Sequence, residues 1–508
     1  MSGPSILART ALGAGWVMAW RLLTRGLGLI STLILVRILA PADFGLVALA
    51  TAFALALDVC LSIGVEDQIV RSADPRPALY HTAFTLNLMR ALAVAGLITA
   101  LAAPAGAFFA DARLHDVLLA LAVSAGLSGF ANIGVADFRR RLSFDKEFQL
   151  QLLPRLAGIT VTLLGAWLLR SHWALILGIL TNRMGVLVMG YVLHPYRPRL
   201  SLAAWRELIG VSAWSWAISI AAVIRDRADS MVIGRALGPA PLGTYAVGVE
   251  IAVLPTTEMV DPICRACMPG FAQTWRDGGM EELGRAWLRI IGFVAVLALP
   301  AGMGISLVAG PVVALAFGQA WLDAVPVVTI MGLACTVMLP GNVSMALLNA
   351  RAALHLITAI TAGAAVLRVA LLIALTAWLG LTGAALAVGL SLLLEHAALV
   401  GCALRMLRLR PASLARAVAR PVLAALAMAA TLWLAGLGWL PPPPDGGAAL
   451  RLLLQAIPLG MATYGLALFI PWWLAGRPPG AEADLISLLR TALRRVLGGR
   501  SHALRQGG

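Results

Sequence analysis

Apolar segments of about 20 residues or more recur along this whole chain, and each can cross the roughly 30 Å of hydrocarbon in a bilayer. Hydrophobic residues make up 60% of the 508 residues and charged residues only 12%, with a mean hydropathy of +0.88. A soluble domain carries about 25% charged residues and cannot bury this much apolar surface. The sequence therefore predicts an all-α, polytopic membrane protein.

About fourteen such segments can be delimited, and the connections between them are too short to hold a folded soluble domain. No cleavage pattern follows the N-terminal residues, so the first segment is expected to remain as a helix. The predicted helices cover residues 11–36, 42–66, 79–103, 115–136, 148–169, 172–194, 208–234, 242–264, 286–308, 324–348, 355–378, 381–404, 416–438 and 449–474.

The distribution of arginine predicts the orientation. The net charge of +15 does not indicate nucleic-acid binding, because a nucleic-acid-binding protein gathers its basic residues on one soluble face. If the loops alternate between the two sides of the membrane, most basic residues share the side of the N-terminus. The opposite side receives only Arg37, Arg113, Arg170, Arg235 and Arg451. This asymmetry predicts an inner-membrane protein with both termini in the cytoplasm.

An internal repeat predicts two related halves. The segment Arg37-Ile-Leu-Ala-Pro-Ala-Asp-Phe-Gly45 recurs as Arg235-Ala-Leu-Gly-Pro-Ala-Pro-Leu-Gly243, with Arg, Leu, Pro, Ala and Gly at the same spacing. An even number of helices separates the copies, so both halves keep one orientation and are expected to share an axis along the membrane normal. We therefore expect two pseudo-symmetric six-helix lobes plus two C-terminal helices.

This architecture divides the chain into four predicted parts. The C-terminal part alternates apolar residues with arginines, which is typical of an amphipathic helix on the cytoplasmic membrane surface. The parts are an N-terminal lobe (1–200), a C-terminal lobe (201–410), helices 13 and 14 (411–476) and an amphipathic tail (477–508).

Arginines inside the predicted spans are the main candidates for binding a substrate. An ionisable side chain at membrane depth costs roughly 2.5–3.5 kcal/mol on insertion scales, so it is expected to face a cavity. Guanidinium groups bind phosphate through two hydrogen bonds and keep their charge. We therefore expect a cationic cavity between the lobes for an anionic headgroup such as a lipid pyrophosphate. Its predicted ligands are Arg21, Arg25, Arg90, Arg225, Arg227 and Arg368.

Carboxylates in the spans are candidates for coupling transport to H⁺ or Na⁺, because a buried carboxylate can bind either ion. The predicted ion-coupling residues are Asp226, Asp229 and Glu250. A structural alternative stays open for Arg225 and Arg227, namely a salt-bridge cluster with Asp226 and Asp229. Within it, Arg225 shares a helix face with Asp229 and is expected to attract it. For Arg183 the alternative is that its side chain extends to the membrane–water interface instead of facing a cavity. The single CxxC motif has no second half, so neither a metal site nor another cofactor is predicted.

Three motifs resemble the polysaccharide flippase family of the multidrug/oligosaccharidyl-lipid/polysaccharide exporter superfamily. They are the segment from Asp229 to Tyr245, the segment from Arg37 to Gly45, and Phe317-Gly-Gln-Ala-Trp321. The resemblance implies a transporter, not an enzyme, that moves an undecaprenyl-pyrophosphate-linked oligosaccharide to the periplasmic leaflet by alternating access. It also implies membrane lipids, a polysaccharide polymerase and export proteins as partners.

Other functions remain open on the sequence. A flippase for lipid-linked peptidoglycan precursors fits the two extra helices. A multidrug exporter of the same superfamily would favour an acidic cavity. A membrane glycosyltransferase or polysaccharide polymerase would need acidic catalytic residues on a sizeable outer loop, and the outer loops here are short.

Overall fold

The computed structural model describes residues 23–61, 69, 76–140, 143–208, 213–478, 480–487 and 490. Every regular element among them is helical, as predicted. The helices are α1 (23–38), α2 (Pro41–Cys60), α3 (Pro77–Phe109), α4 (Arg113–Gly129), α5 (Ala136–Arg140), α6 (Phe144–Leu169), α7 (Trp173–Leu193), α8 (Trp205–Leu208), α9 (Ala213–Ala236), α10 (Pro239–Leu307), α11 (Ala309–Ala316), α12 (Val325–Ala350), α13 (Leu354–Met406), α14 (Pro411–Leu434), α15 (Gly446–Leu474) and α16 (481–487).

The membrane spans agree with the predicted segments, each of which overlaps one of these helices. Nine helices in the described ranges are long and apolar enough to cross a membrane, or ten if α4 and the bent segment Ile133–Arg140 form one span. α9 carries too many charges to meet that criterion, whereas α10 and α13 each contain two predicted spans. The polytopic all-α fold is confirmed, and the number fourteen stays a prediction.

The two longest helices are interrupted at glycines. Gly279 in α10 has φ 70° and Gly380 in α13 has φ 59°. Residues with a Cβ rarely adopt positive φ, so glycine permits the break in each helix. Each break lies between two predicted spans.

The chain forms two compact units, residues 1–246 and 247–508. In the first unit, α3 packs on α4, α6 on α7, and α2 on α9. In the second unit, α12 packs on α13 and α14 on α15. The division into lobes and C-terminal helices at residues 200, 410 and 476 stays a prediction, as does the orientation in the membrane.

Small residues bring α6 and α7 into close backbone contact. A Cβ on Gly178 would overlap the Thr162 hydroxyl, and one on Gly185 would lie 2.9 Å from Cβ of Pro154. A Cβ on Gly158 would likewise lie 2.9 Å from the Gly178 carbonyl oxygen. These contacts fix the rotation of α7 about its axis, because only one face of the helix can approach so closely.

An extended strap, residues 194–204, runs from α7 across the start of α3. Its backbone N–H groups find acceptors on α3: Arg199 donates to Nδ1 of His81 (3.2 Å), Ser201 to Oγ1 of Thr85 (2.9 Å) and Ala204 to Oγ1 of Thr82 (3.1 Å). The buried amide of Asn132 lies 3.1 Å from the Tyr196 carbonyl oxygen. Side chains therefore satisfy strap backbone groups that belong to no helix.

The described start of the tail packs on the second unit. Glu482 in α16 has a side chain only 5% exposed, and it pairs with Arg420 of α14 at 3.5 Å. Asp484 accepts two hydrogen bonds from Arg289 of α10, one of them 2.6 Å long. Leu485 packs against the apolar cluster that contains Met428. The tail thus begins by docking on the protein, and the predicted amphipathic helix beyond residue 487 lies, apart from residue 490, outside the described residues.

Candidate functional site

A polar cavity of about 440 Å³ lies inside the first unit. Helices α2, α3, α4, α6 and α7 and the segment around α5 line it. Its ionisable and amide side chains are Asp58, Asn87, Arg90, Asn132, Arg139, Glu147, Gln151 and Arg183. Charged groups of both signs thus face one partly open space between apolar helices, and the cost of placing charges in a span must be offset there.

Each helix contributes residues from one face. α7 presents Ile179, Arg183, Val186 and Leu187, and α6 presents Glu147, Leu150 and Gln151. Intervals of three, four and seven residues place side chains on one side of an α-helix. α2 and α4 follow the same spacing, with Thr51 and Asp58 on the former and Ser124 and Ser128 on the latter. The cavity is therefore built from polar positions within apolar helices.

Of the predicted substrate ligands that the structure describes, Arg90 is the one that lines this cavity. Its guanidinium forms an ion pair with Asp58 of α2, and its other terminal nitrogen donates to Oδ1 of Asn87 at 3.1 Å. The Arg90 side chain is 16% exposed and the Asp58 side chain 41%. Asn87 and Asp58 together hold the guanidinium fork at the cavity wall.

A second ion pair lies where the cavity approaches α5. Arg139 donates through Nε to Oε1 of Glu147 at 2.7 Å. Asn132, which holds the strap, also lines the cavity. The strap and the cavity wall thus share one buried amide.

The other predicted arginines are distributed over both units. Arg21 lies outside the described residues, and Arg25 lies in α1. Arg225 and the exposed Arg227 lie in α9 of the first unit, whereas Arg368 lies in α13 of the second. Binding of a substrate by these residues, and a cavity between the lobes, stay predictions.

The cluster in α9 includes an ion pair between adjacent residues. Arg225 donates to its chain neighbour Asp226, with Nε 2.8 Å from Oδ1. Asp229 accepts from Tyr245 of α10 (3.1 Å) and from the backbone N–H of Ser230 (2.7 Å). The attraction between Arg225 and Asp229 stays a prediction.

A buried charged cluster occupies α13 in the second unit. Arg368 is 5% exposed, and its Nε donates to Oγ of Ser391 at 2.9 Å. Its Nη2 lies 3.8 Å from Oε2 of Glu395, next to the buried His396. Arg368 is thus held between the two halves of α13 by side chains of its own helix. Glu250, a predicted ion-coupling residue, is half-buried in α10.

Among the residues that the structure describes, no group of three His, Cys, Asp or Glu side chains could hold a metal ion. Sequence reasoning did not single out Asn87, Gln151 or the cavity position of Arg183. The signal that could have found them is polar residues at helical spacing on several apolar helices. That signal needs the tertiary fold, because each helix contributes only one or two polar groups.

Comparison with known families gives a match over residues 34–326 to the family described as "Polysaccharide biosynthesis protein". The lipopolysaccharide biosynthesis protein WzxC of Escherichia coli is 26% identical over 352 residues, 68% of this chain and 71% of that protein. The succinoglycan biosynthesis transport protein ExoT of Rhizobium meliloti is 26% identical over 349 residues, 66% and 68% of the two chains.

Solved structures share the fold. An inward closed structure of the lipid II flippase MurJ superposes with a TM-score of 0.72 at 12% identity, covering 90% of this chain and 99% of that one. An inward-facing multidrug transporter of the MATE family, in the MOP superfamily, gives 0.58 at 15% identity, covering 76% and 94%. At these identities the likeness concerns the fold alone.

Proposed function

Because this multi-pass membrane protein belongs to the polysaccharide biosynthesis protein family, we propose that it is a flippase for an undecaprenyl-pyrophosphate-linked oligosaccharide. It moves the repeat unit from the cytoplasmic to the periplasmic leaflet of a bacterial inner membrane, for exopolysaccharide, capsule or O-antigen synthesis. The family match over residues 34–326 carries this proposal. Relatives named for lipopolysaccharide biosynthesis and succinoglycan transport support it.

The polar cavity of the first unit supports a charged lipid headgroup as the cargo. Arg90, Arg139 and Arg183 line it together with amide and hydroxyl groups, which can donate to phosphate and sugar oxygens. A multidrug exporter would instead favour an acidic cavity for cationic drugs. The arginine content of the cavity therefore favours an anionic cargo.

Transport proceeds in this proposal by alternating access, without making or breaking a covalent bond. The protein is thus not an enzyme. In the orientation that the arginine distribution favours, both termini lie in the cytoplasm. Asp226, Asp229 and Glu250 are the proposed sites for coupling to H⁺ or Na⁺, because a carboxylate in a span can bind either ion. Membrane lipids surround the protein, and a polysaccharide polymerase and export proteins receive its product.

A second candidate is a flippase for lipid-linked peptidoglycan precursors. The lipid II flippase MurJ shares the fold, with a TM-score of 0.72, so this architecture is compatible with the second candidate as well as the first. The two candidates differ in the sugar that the lipid carries, whereas both cargoes contain a lipid diphosphate.

Reconstitution of the purified protein in vesicles tests the proposal. The vesicles contain a labelled lipid-linked oligosaccharide, and an impermeant glycosidase outside digests each glycan that reaches the outer leaflet. We expect protein-dependent digestion of the inner-leaflet pool and an unchanged glycan mass in undigested samples. A rate equal to that of protein-free vesicles contradicts flipping, and a changed mass indicates a glycosyltransferase or polymerase. Faster movement of lipid II than of the oligosaccharide favours the second candidate.

A further inference from the structure

Among the described residues that line the first-unit cavity, Arg183 is the cation that no carboxylate neutralises. It lies ten residues from each end of α7 (Trp173–Leu193), which is about 15 Å along the axis in either direction. The cavity's ion pairs are Arg90–Asp58 and Arg139–Glu147. Within the described ranges of the chain, no carboxylate lies within ion-pair distance of Arg183.

The packing of α7 directs Arg183 away from its neighbour α6. Gly178 and Gly185 form the face that meets α6 in close backbone contact. At 100° per residue, Arg183 lies about 140° from Gly178 and about 160° from Gly185 around the helix. The glycine contacts therefore hold Arg183 on the opposite side of α7, where it joins Ile179, Val186 and Leu187 as cavity lining.

A guanidinium at this depth needs a counter-charge. Placing an arginine at the centre of a span is costly, and each end of α7 is farther away than an arginine side chain extends. Gln151, Asn132 and the serines of α4 make the cavity polar but supply no negative charge. An anion that enters the cavity would supply it.

We propose that Arg183 is the phosphate-binding residue of the first unit, with the diphosphate of a lipid carrier as its ligand. The identity of the lipid rests on the proposed function. A guanidinium presents two parallel N–H donors that match two phosphate oxygens. A volume of about 440 Å³ falls in the range of about 300–1,000 Å³ in which proteins hold small ligands.

Asp58 competes with an incoming anion for Arg90. The Asp58 carboxylate pairs with one terminal nitrogen of the Arg90 guanidinium, and the Asp58 side chain remains 41% exposed. A diphosphate that reaches the cavity can therefore replace Asp58 as the partner of Arg90. Removing the Asp58 charge should strengthen anion binding, whereas removing the Arg183 charge should weaken it.

Binding to the purified full-length protein in detergent tests the proposal, with farnesyl pyrophosphate as the lipid diphosphate and inorganic pyrophosphate as the free anion. We expect Arg183→Gln to weaken binding of farnesyl pyrophosphate by about tenfold or more, because the variant loses a charged hydrogen-bonded pair with the phosphate. Arg183→Lys should recover part of the affinity, because lysine keeps the charge without the fork. Asp58→Asn should tighten binding. Arg276→Gln, which removes one positive charge outside the cavity lining, should bind as wild type.

Wild-type affinity in Arg183→Gln overturns the assignment of Arg183. If the wild type binds farnesyl pyrophosphate and inorganic pyrophosphate equally well, the ligand is not a lipid carrier, and the cavity is a site for a free anion. If Arg183→Gln does not fold, two other variants test the proposal. Weaker binding than wild type by Arg183→Lys and tighter binding by Asp58→Asn support it, and unchanged binding in both overturns it. The proposed function fails separately, when the wild type does not flip the oligosaccharide in vesicles.

Discussion

Gly45 of α2 and Gly243 of α10 contact each other reciprocally. A Cβ on Gly45 would lie 2.7 Å from the backbone nitrogen of Gly243, and a Cβ on Gly243 would lie 2.8 Å from that of Gly45. Each added Cβ would also overlap the carbonyl oxygen of the other segment's proline, Pro239 or Pro41. The two copies of the sequence repeat therefore meet through equivalent residues, as a two-fold relation between them requires.

Replacement of either glycine by alanine should destabilise the protein to a similar extent. The added methyl group meets backbone atoms that cannot move independently, and overpacking typically costs about 1–3 kcal/mol or more. We expect Gly45→Ala and Gly243→Ala each to lower the melting temperature of the purified protein and its yield of monodisperse material. Gly96→Ala in α3, where the added Cβ has no neighbour within 4 Å, is the matched control. A wild-type melting temperature in both variants would contradict this contact.

The repeat could be recognised in the sequence because the contact between its copies needs glycine for close backbone approach. The need for that particular residue type leaves the same glycine and proline in both copies. The helices were visible for a similar reason, since an apolar run long enough to span a bilayer leaves the chain few alternatives. The cavity was not visible, because Asp58, Arg90, Asn87 and Arg183 come from three helices whose relative rotation depends on packing. Helical spacing favoured Asp229 as a partner of Arg225, whereas the contact of Arg225 with the adjacent Asp226 depends on the length and flexibility of the arginine side chain.

The strap 194–204 should depend on hydroxyl groups of α3. Thr82→Val keeps the side-chain shape but removes the buried acceptor for the backbone N–H of Ala204, and an unsatisfied buried donor costs about 1–3 kcal/mol. We expect a lower melting temperature and faster proteolysis within the strap. Thr99→Val in the same helix removes only an exposed bond to the Ala95 carbonyl and should change neither. Equal behaviour of the two variants would show that the strap does not need Thr82.

The two ion pairs of the tail should differ in strength. Arg420→Gln leaves the Glu482 carboxylate, which is 5% exposed, without its partner, whereas Arg289→Gln releases Asp484, whose side chain is 23% exposed. Exposed pairs contribute about 0–1 kcal/mol, and loss of the partner of a buried charge costs more. We expect a clearly larger fall in melting temperature for Arg420→Gln. A larger effect of Arg289→Gln would mean that burial does not govern this contact.

The loop between α3 and α4 should show a small pH dependence. Hydrogen bonds from Arg113 lower the pKa of Asp111 below its ordinary value. The folded state thus gains stability above the unfolded pKa of about 3.9, and loses it as the pH falls through the lower folded pKa. Because Arg113 is 47% exposed, the gain is below about 1 kcal/mol. Asp111→Asn should lower the melting temperature slightly at neutral pH and not in strong acid, and a constant difference across that range would contradict the linkage.

Variants of Asp229 and of its partner Tyr245 can distinguish a structural role of this carboxylate from an ion-coupling role. Its carboxylate accepts hydrogen bonds from Tyr245 and Ser230, whereas the Asp226 carboxylate is occupied by Arg225. The two donors bind opposite carboxylate oxygens, Oδ1 for Ser230 and Oδ2 for Tyr245. Asp229→Asn removes the charge, keeps an acceptor oxygen for the Ser230 N–H and lets its amide NH2 donate to the Tyr245 hydroxyl. Tyr245→Phe does the reverse, because it removes one hydrogen bond and keeps the charge.

If Asp229 couples transport to an ion, Asp229→Asn should fold with nearly wild-type stability and fail to flip the oligosaccharide in vesicles. Tyr245→Phe should lose about 1 kcal/mol of stability and still transport, with a changed dependence on pH or Na⁺, because the hydroxyl no longer stabilises the carboxylate. Asp323→Asn, at an exposed position, controls for the loss of one negative charge. Full transport by Asp229→Asn together with loss of transport in Tyr245→Phe would mean that the contact between α9 and α10 matters and the charge does not.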